Sequence, residues 1–208
     1  MELVSTELTI SRNTREFLYS AEFACLEETC RIATLKLSSF KQGLSVKVAK
    51  RCLDIGQLMN LSGTDLVRIE VAAQVHRLGE SFIDDHISNK SFFDMTHLEL
   101  HAYFRYPLFS ALRLSQYVSK EFYEILLHHR DYYSCAGMLN MKHGDKIPLS
   151  ARILCVATEY EELLRYKGCD PTKQDIIQRR MLKNTIGRYD ASVLDALMLT
   201  IAAEHPCH

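Results

Sequence analysis

Apolar positions recur at three- and four-residue steps along most of the chain, and the elements they predict are helices. Val48, Ala49, Cys52, Ile55 and Met59 share one face of a helix expected over about residues 44 to 59, and Asn60-Leu61-Ser62-Gly63 closes it with turn chemistry. Ser62 or Thr64 starts the next helix, where Ile69, Ala72, Ala73 and His76 step along one inward face and place His76 at the C-terminal end. Thr96 and Glu99 form a capping-box pair ahead of a helix reaching about Phe104, and Pro107 opens another with Leu108, Ala111, Leu112 and Val118 as its apolar stripe. Phe122, Ile125, Leu126 and His129 mark the inner face of the following helix. Three more are expected over about residues 149 to 164, 172 to 183 and 191 to 202.

The first forty residues read differently. Val4, Thr6, Leu8 and Ile10 alternate, which fits a short strand or an extended arm. Ser11 or Asn13 then caps a long helix to about Phe40, with Leu18, Cys25 and Ile32 on a heptad seam that Glu28 interrupts. Such a repeat suits either a homodimer through this N-terminal helix or a helix packed on its own domain. The expected organisation is an N-terminal arm and helix over residues 1–40 followed by a helical domain over 41–208.

Composition narrows the class. The 208 residues are 47% hydrophobic, enough for a sizeable core, and 25 basic residues against 26 acidic ones leave a net charge of -1. Nothing in that balance recruits nucleic acid or an anionic membrane. Seven scattered cysteines without a CxxC pair argue against both a disulfide framework and a zinc knuckle, and point to buried thiols in a reducing cytoplasm. The absence of an apolar run of about 18 to 20 residues, and of a signal-peptide pattern, adds to the expectation of a cytoplasmic protein.

Candidate chemistry gathers on His76, His128 and His129, each at a helix end, where imidazoles from two helices can surround one metal ion. An isolated inward histidine is usually a hydrogen-bonded core residue. The surrounding segments carry more information. Ala72-Ala73-Gln74-Val75-His76-Arg77-Leu78-Gly79-Glu80 resembles the "AALLHDIGK" signature of HD-domain phosphohydrolases, and Tyr106-Pro107-Leu108-Phe109-Ser110-Ala111-Leu112 resembles the "HPEIGARIL" helix of the same group. Ile125-Leu126-Leu127-His128-His129-Arg130-Asp131-Tyr132 is similar to the "HHER" segment of the HD-GYP subfamily, and residues 144–157 are similar to its "GEEIPLGARILAVAD" stretch. Residues 186–197 resemble its closing "GTQFDPELVDAF".

The resemblance, which covers about residues 40 to 202, implies an all-α HD-domain helical bundle with an N-terminal helical extension. It also implies metal-assisted hydrolysis, typically of cyclic di-GMP, by histidines and a bridging carboxylate holding two or three ions. Residue by residue this chain departs from that set. Leu44 stands where the first-helix histidine belongs, Arg77 replaces the Asp of the HD pair, and Glu80 replaces the phosphate-binding Lys. Tyr106 replaces a second histidine and Thr158 the Asp that closes "AVAD". His76, His128 and His129 remain. Two cofactor readings stay open: none, or one divalent ion (iron, manganese or zinc) on those three histidines.

The GYP loop corresponds to Tyr133-Ser134-Cys135-Ala136-Gly137-Met138-Leu139, of which only the glycine survives, and Met138 with Leu139 is a candidate partner contact. Arg77 and Arg152 are candidate ligands for a nucleotide phosphate. Two basic clusters, Lys41, Lys47, Lys50 with Arg51 and Arg179, Arg180, Lys183 with Arg188, read as solvated helix faces. The functions expected are a catalytically inactive regulatory or protein-interaction module in cyclic-dinucleotide signalling, a phosphohydrolase with a reduced metal site, or a non-hydrolysing nucleotide sensor.

Overall fold

The computed structural model describes residues 39–90, 94–134, 142–167, 171–183 and 187–204. The N-terminal arm and heptad seam lie outside the described residues, as do Met138 and Leu139.

Helix α1 (Ser39–Leu58) includes residues ahead of the expected start, and Leu44 is buried on its apolar face. It ends as the sequence requires. Asn60 takes the left-handed conformation (φ 56°), which lets Leu61 N–H bond Gly56 C=O at 2.9 Å and Asn60 N–H bond Gln57 C=O at 3.1 Å, satisfying carbonyls the last turn leaves open. Ser62 then caps α2 (Gly63–Val75), its side chain accepting the Asp65 N–H at 3.1 Å. A single-turn 3-10 helix (Leu78–Phe82) and a short α3 (Asp85–Ser88) follow, neither carrying enough periodicity to be visible in sequence. The Thr96–Glu99 capping box forms as expected and opens α4 (His97–Tyr103).

Helix α5 (Tyr106–Leu114) carries Pro107 in its first turn, where a missing N–H costs nothing. Its inward face is Tyr106, Pro107, Ser110, Ala111 and Leu114, and the helix stops before Val118. Leu112, expected inside, is half exposed: α5 is apolar on two sides and only one meets the core. Helices α6 (Lys120–His128), α7 (Leu149–Lys167), α8 (Pro171–Lys183) and α9 (Ala191–Glu204) complete the order. No strand occurs among the described residues, and none of their helices is long and apolar enough to cross a membrane.

Helix α7 is the axis of the bundle, with α1, α2, α6, α8 and α9 all packed on it. Ile153, Leu154, Val156, Ala157 and Tyr160 are fully buried there, in a core cluster that also takes Val48, Cys52 and Ile55 from α1 and Ile69, Ala72 and Ala73 from α2. Leu44 belongs to this cluster, so the position of the lost first-helix histidine is filled by packing. The same helix buries three carboxylates, each held by an arginine from elsewhere. Glu161 meets Arg51 of α1 at 3.2 Å, Glu159 meets Arg188, and Glu162 meets Arg77 and Arg130. Arg51 and Arg188 therefore do not belong to solvated faces. Arg51 is buried and also reaches Glu204 at 3.0 Å, while Arg188 lies over the Tyr132 ring at 4.4 Å.

Candidate functional site

The turn after α2 and the turn after α6 meet beside α7, bringing His76 and His129 together with ring centroids 5.4 Å apart and planes nearly perpendicular. Each ring is held the same way. The Nδ1–H of His76 donates to Ala73 C=O at 2.6 Å and that of His129 to Leu126 C=O at 2.7 Å, so both helix ends satisfy a late carbonyl with an imidazole and both Nε2 lone pairs turn inward. His129 Nε2 accepts the Tyr106 hydroxyl at 3.0 Å. His76 Nε2 is buried without a hydrogen-bond partner. Burial, and then the charge of Arg77, holds His76 well below the usual histidine range; burial, the neighbouring His76 and Arg130 do the same to His129. Both rings are neutral.

Around this pair runs a network of charge. Arg77 donates from Nη1 to Glu162 Oε1 at 2.7 Å, and Arg130 donates from Nη2 to the same oxygen at 2.7 Å. Arg77 Nη2 also pairs with Glu80 Oε1 at 2.7 Å and bonds the Tyr103 hydroxyl at 2.9 Å, which itself donates to Glu80 Oε1 at 2.9 Å. Arg130 Nε donates to the Tyr106 oxygen at 2.7 Å, and so connects the network to His129. Burial pushes the Glu162 carboxyl up, but Arg130 and Arg77 outweigh it and hold its pKa below the ordinary value. Two guanidinium charges stand against two carboxylates, so the cluster is neutral as a whole. That balance is what makes so much buried charge tolerable.

The remaining candidates lie apart from this pair. His128 Nδ1 is 2.7 Å from Asp131 Oδ2, which also accepts the Lys142 N–H at 3.1 Å. Arg152 joins Asp145 at 3.1 Å and Asp190, beneath the Tyr133 ring, and ties the approach to α7 to the start of α9. Arg77 and Arg152 thus sit in different clusters, each already holding carboxylates. Sequence reasoning missed Glu162, Arg130 and Tyr103. The available signal was the run Glu159-Tyr160-Glu161-Glu162 on a helix too apolar to face water, since carboxylates forced inside require cationic partners.

The turn that carries Arg77 is fixed to α5. Gly79 N–H donates to Ser110 Oγ at 2.8 Å, and that hydroxyl donates to His76 C=O at 2.7 Å. A Cβ on Gly79 would stand 2.0 Å from the Tyr106 carbonyl oxygen and 2.6 Å from Ser110 N, both backbone atoms that cannot step aside. Gly79→Ala is therefore expected to destabilise the fold by about 1–3 kcal/mol or more, read as a lower urea midpoint with unchanged slope.

Whether these residues fit the ions that such a site implies can be judged from the donor set. A two-metal centre needs a bridging carboxylate and anionic oxygen ligands that offset the dehydration of hard cations. Here the carboxylates Glu80 and Glu162 are bound to guanidinium groups, one histidine lone pair is taken by a tyrosine hydroxyl, and Arg77 places a fixed positive charge beside His76. Among the described residues no group of three or more His, Cys, Asp or Glu side chains is arranged to hold a metal ion. The arrangement does not fit a two-metal centre.

The chain belongs to the HD domain family, whose model matches residues 14–193. Among solved structures, Bd1817, an HDG"Y"P protein from Bdellovibrio bacteriovorus, overlays with a TM-score of 0.66 at 12% sequence identity, over 91% of this chain and 68% of its own. The HD domain of the phosphodiesterase PgpH from L. monocytogenes overlays with a TM-score of 0.52 at 14% identity, over 94% of this chain and all of its own. At such identities the likeness is one of fold. No curated protein matches the sequence.

Proposed function

We propose that this chain is a catalytically inactive HD-GYP-like module that serves regulation or protein interaction in cyclic-dinucleotide signalling. The observation that carries the reading is the sharing of Glu162 Oε1 by Arg77 and Arg130 beside His76 and His129. Hydrolysis of a phosphodiester needs an activated water and a cationic clamp that moves with the developing charge. The clamp here is saturated by its own carboxylates, and the neutral histidines are held in place by backbone carbonyls and Tyr106. A nucleotide phosphate reaching Arg77 would have to displace both Glu162 and Glu80, which weighs against the sensor reading.

Protein purified without chelator is expected to carry well under one equivalent of iron, manganese or zinc by plasma mass spectrometry, and to leave cyclic di-GMP intact in the presence of added manganese or iron. Stoichiometric metal lost on His76→Ala substitution would favour a reduced metal site instead. Turnover at enzyme-like rates would overturn the proposal.

A further inference from the structure

The second apolar side of α5 does not end in solvent alone. Together with the last residue of the 3-10 turn it lines a cavity of about 310 Å³ formed by Phe82, Phe109, Leu112, Arg113, Gln116 and Tyr117. Phe82 is 56% exposed, Leu112 52% and Tyr117 51%, and the Phe82 and Phe109 rings meet at 6.1 Å. Three large apolar side chains half open to water in one groove is a concentration that scattered surface residues do not produce. Its walls are also rigid with respect to each other, since the Gly79–Ser110 contact locks the 3-10 turn onto α5. Arg113, at the rim, makes no ion pair among the described residues, and the Gln116 amide beside it offers both donor and acceptor.

We propose that this groove docks a segment of a partner protein that inserts one apolar or aromatic side chain between Phe82, Phe109 and Leu112 and sets a carboxylate, from an Asp or Glu close by in sequence, on Arg113. The volume is at the small end for a ligand pocket, and its lining is half exposed, whereas small-molecule sites enclose most of their ligand. A single anchoring side chain with a charged neighbour fits both facts, and aromatic residues with an arginine are the usual centre of such contacts. The free guanidinium selects an acidic partner. The proposal rests on the reading of the chain as an interaction module, while its groove is separate from the buried histidine–arginine site.

A random dodecapeptide phage library panned on the full chain tests it, with the Leu112→Asp, Arg113→Glu double variant as the counter-target. Peptides enriched on the wild type are expected to share an apolar residue within a few positions of Asp or Glu, and to bind the double variant at least about tenfold more weakly. Where the double variant fails to show native helicity by circular dichroism, Arg113→Glu alone, an exposed position, gives the same comparison. Enriched peptides without a carboxylate, peptides that bind both proteins equally, or no enrichment would overturn the proposal. So would a wild-type chain that sediments as a dimer and an Arg113→Glu chain that does not, since the occupant would then be a second copy. A hydrolytic chain that still selects such peptides refutes the catalytic reading alone, and an inert chain that selects none refutes the groove alone.

Discussion

Glu162→Gln lowers the thermal midpoint of the domain by about 10 °C, and Glu162→Ala by at least as much. Glutamine keeps the shape of the side chain and removes only its charge. What is left is Arg77 and Arg130, both buried, with Glu80 as the one remaining carboxylate of the cluster. Breaking a buried pair by deleting one partner costs about 3–5 kcal/mol, because the orphaned charge can neither reach water nor lose its proton. For a domain of this size each kcal/mol moves the midpoint by about 2–4 °C. Lys90→Ala provides the contrast. It removes an ion pair with Glu99 at 2.6 Å on the exposed surface, where solvent already screens the interaction, and is expected to leave the midpoint almost unchanged. Differential scanning calorimetry of the three variants decides it. A Glu162→Gln protein that melts with the wild type would mean the carboxylate does not hold the two arginines together.

The second large effect is on acid stability. His76 and His129 are neutral in the fold because their pKa values lie well below the ordinary value of 6.5, through burial first, then through Arg77 for His76 and through the paired His76 and Arg130 for His129. The unfolded chain takes up a proton at each as the pH falls through about 6.5. The unfolded state then binds more protons, so stability is fully present above that pH and declines as the pH falls toward the folded values. Each histidine contributes a slope of up to about 1.4 kcal/mol per pH unit, so the fold is expected to lose stability steadily as the pH falls below about 6.5. Glu162 acts in the same direction lower down. Its pKa is depressed in the fold, so its contribution is lost only as the pH falls below about 4.5. Urea titrations at half-unit steps from pH 8 to pH 5 measure the upper window. His76→Leu should remove about half of the slope there, and a flat wild-type profile above pH 5 would contradict neutral, buried histidines.

Much of the fold can be read in the chain because its helices are bounded by local chemistry. Ser62, the Thr96–Glu99 box, Pro107 and the Asn60 turn act on their own backbone, and each does in the structure what its sequence position implies. The site is legible up to the placement of His76 and the identity of the substitutions around it. It stops being legible where burial depends on partners distant in sequence. Arg51 and Arg188 look like members of basic surface runs, and nothing local says which cation Glu161 or Glu159 would meet; each pair is drawn together across the fold. Leu112 fails for the opposite reason. Periodicity marks a helix face as apolar, but not whether another element covers it.

The three glutamates of α7 also set how the molecule comes apart. Glu159 grips the turn before α9, Glu161 grips α1 and Glu162 grips the turns after α2 and α6, so these four helices are braced to one rod by charge. None of the four can lift away without leaving an unmatched carboxylate on α7. Partial openings are therefore scarce, and the amide protons of α1, α2 and α7 should exchange with solvent together, through a single cooperative event, rather than helix by helix.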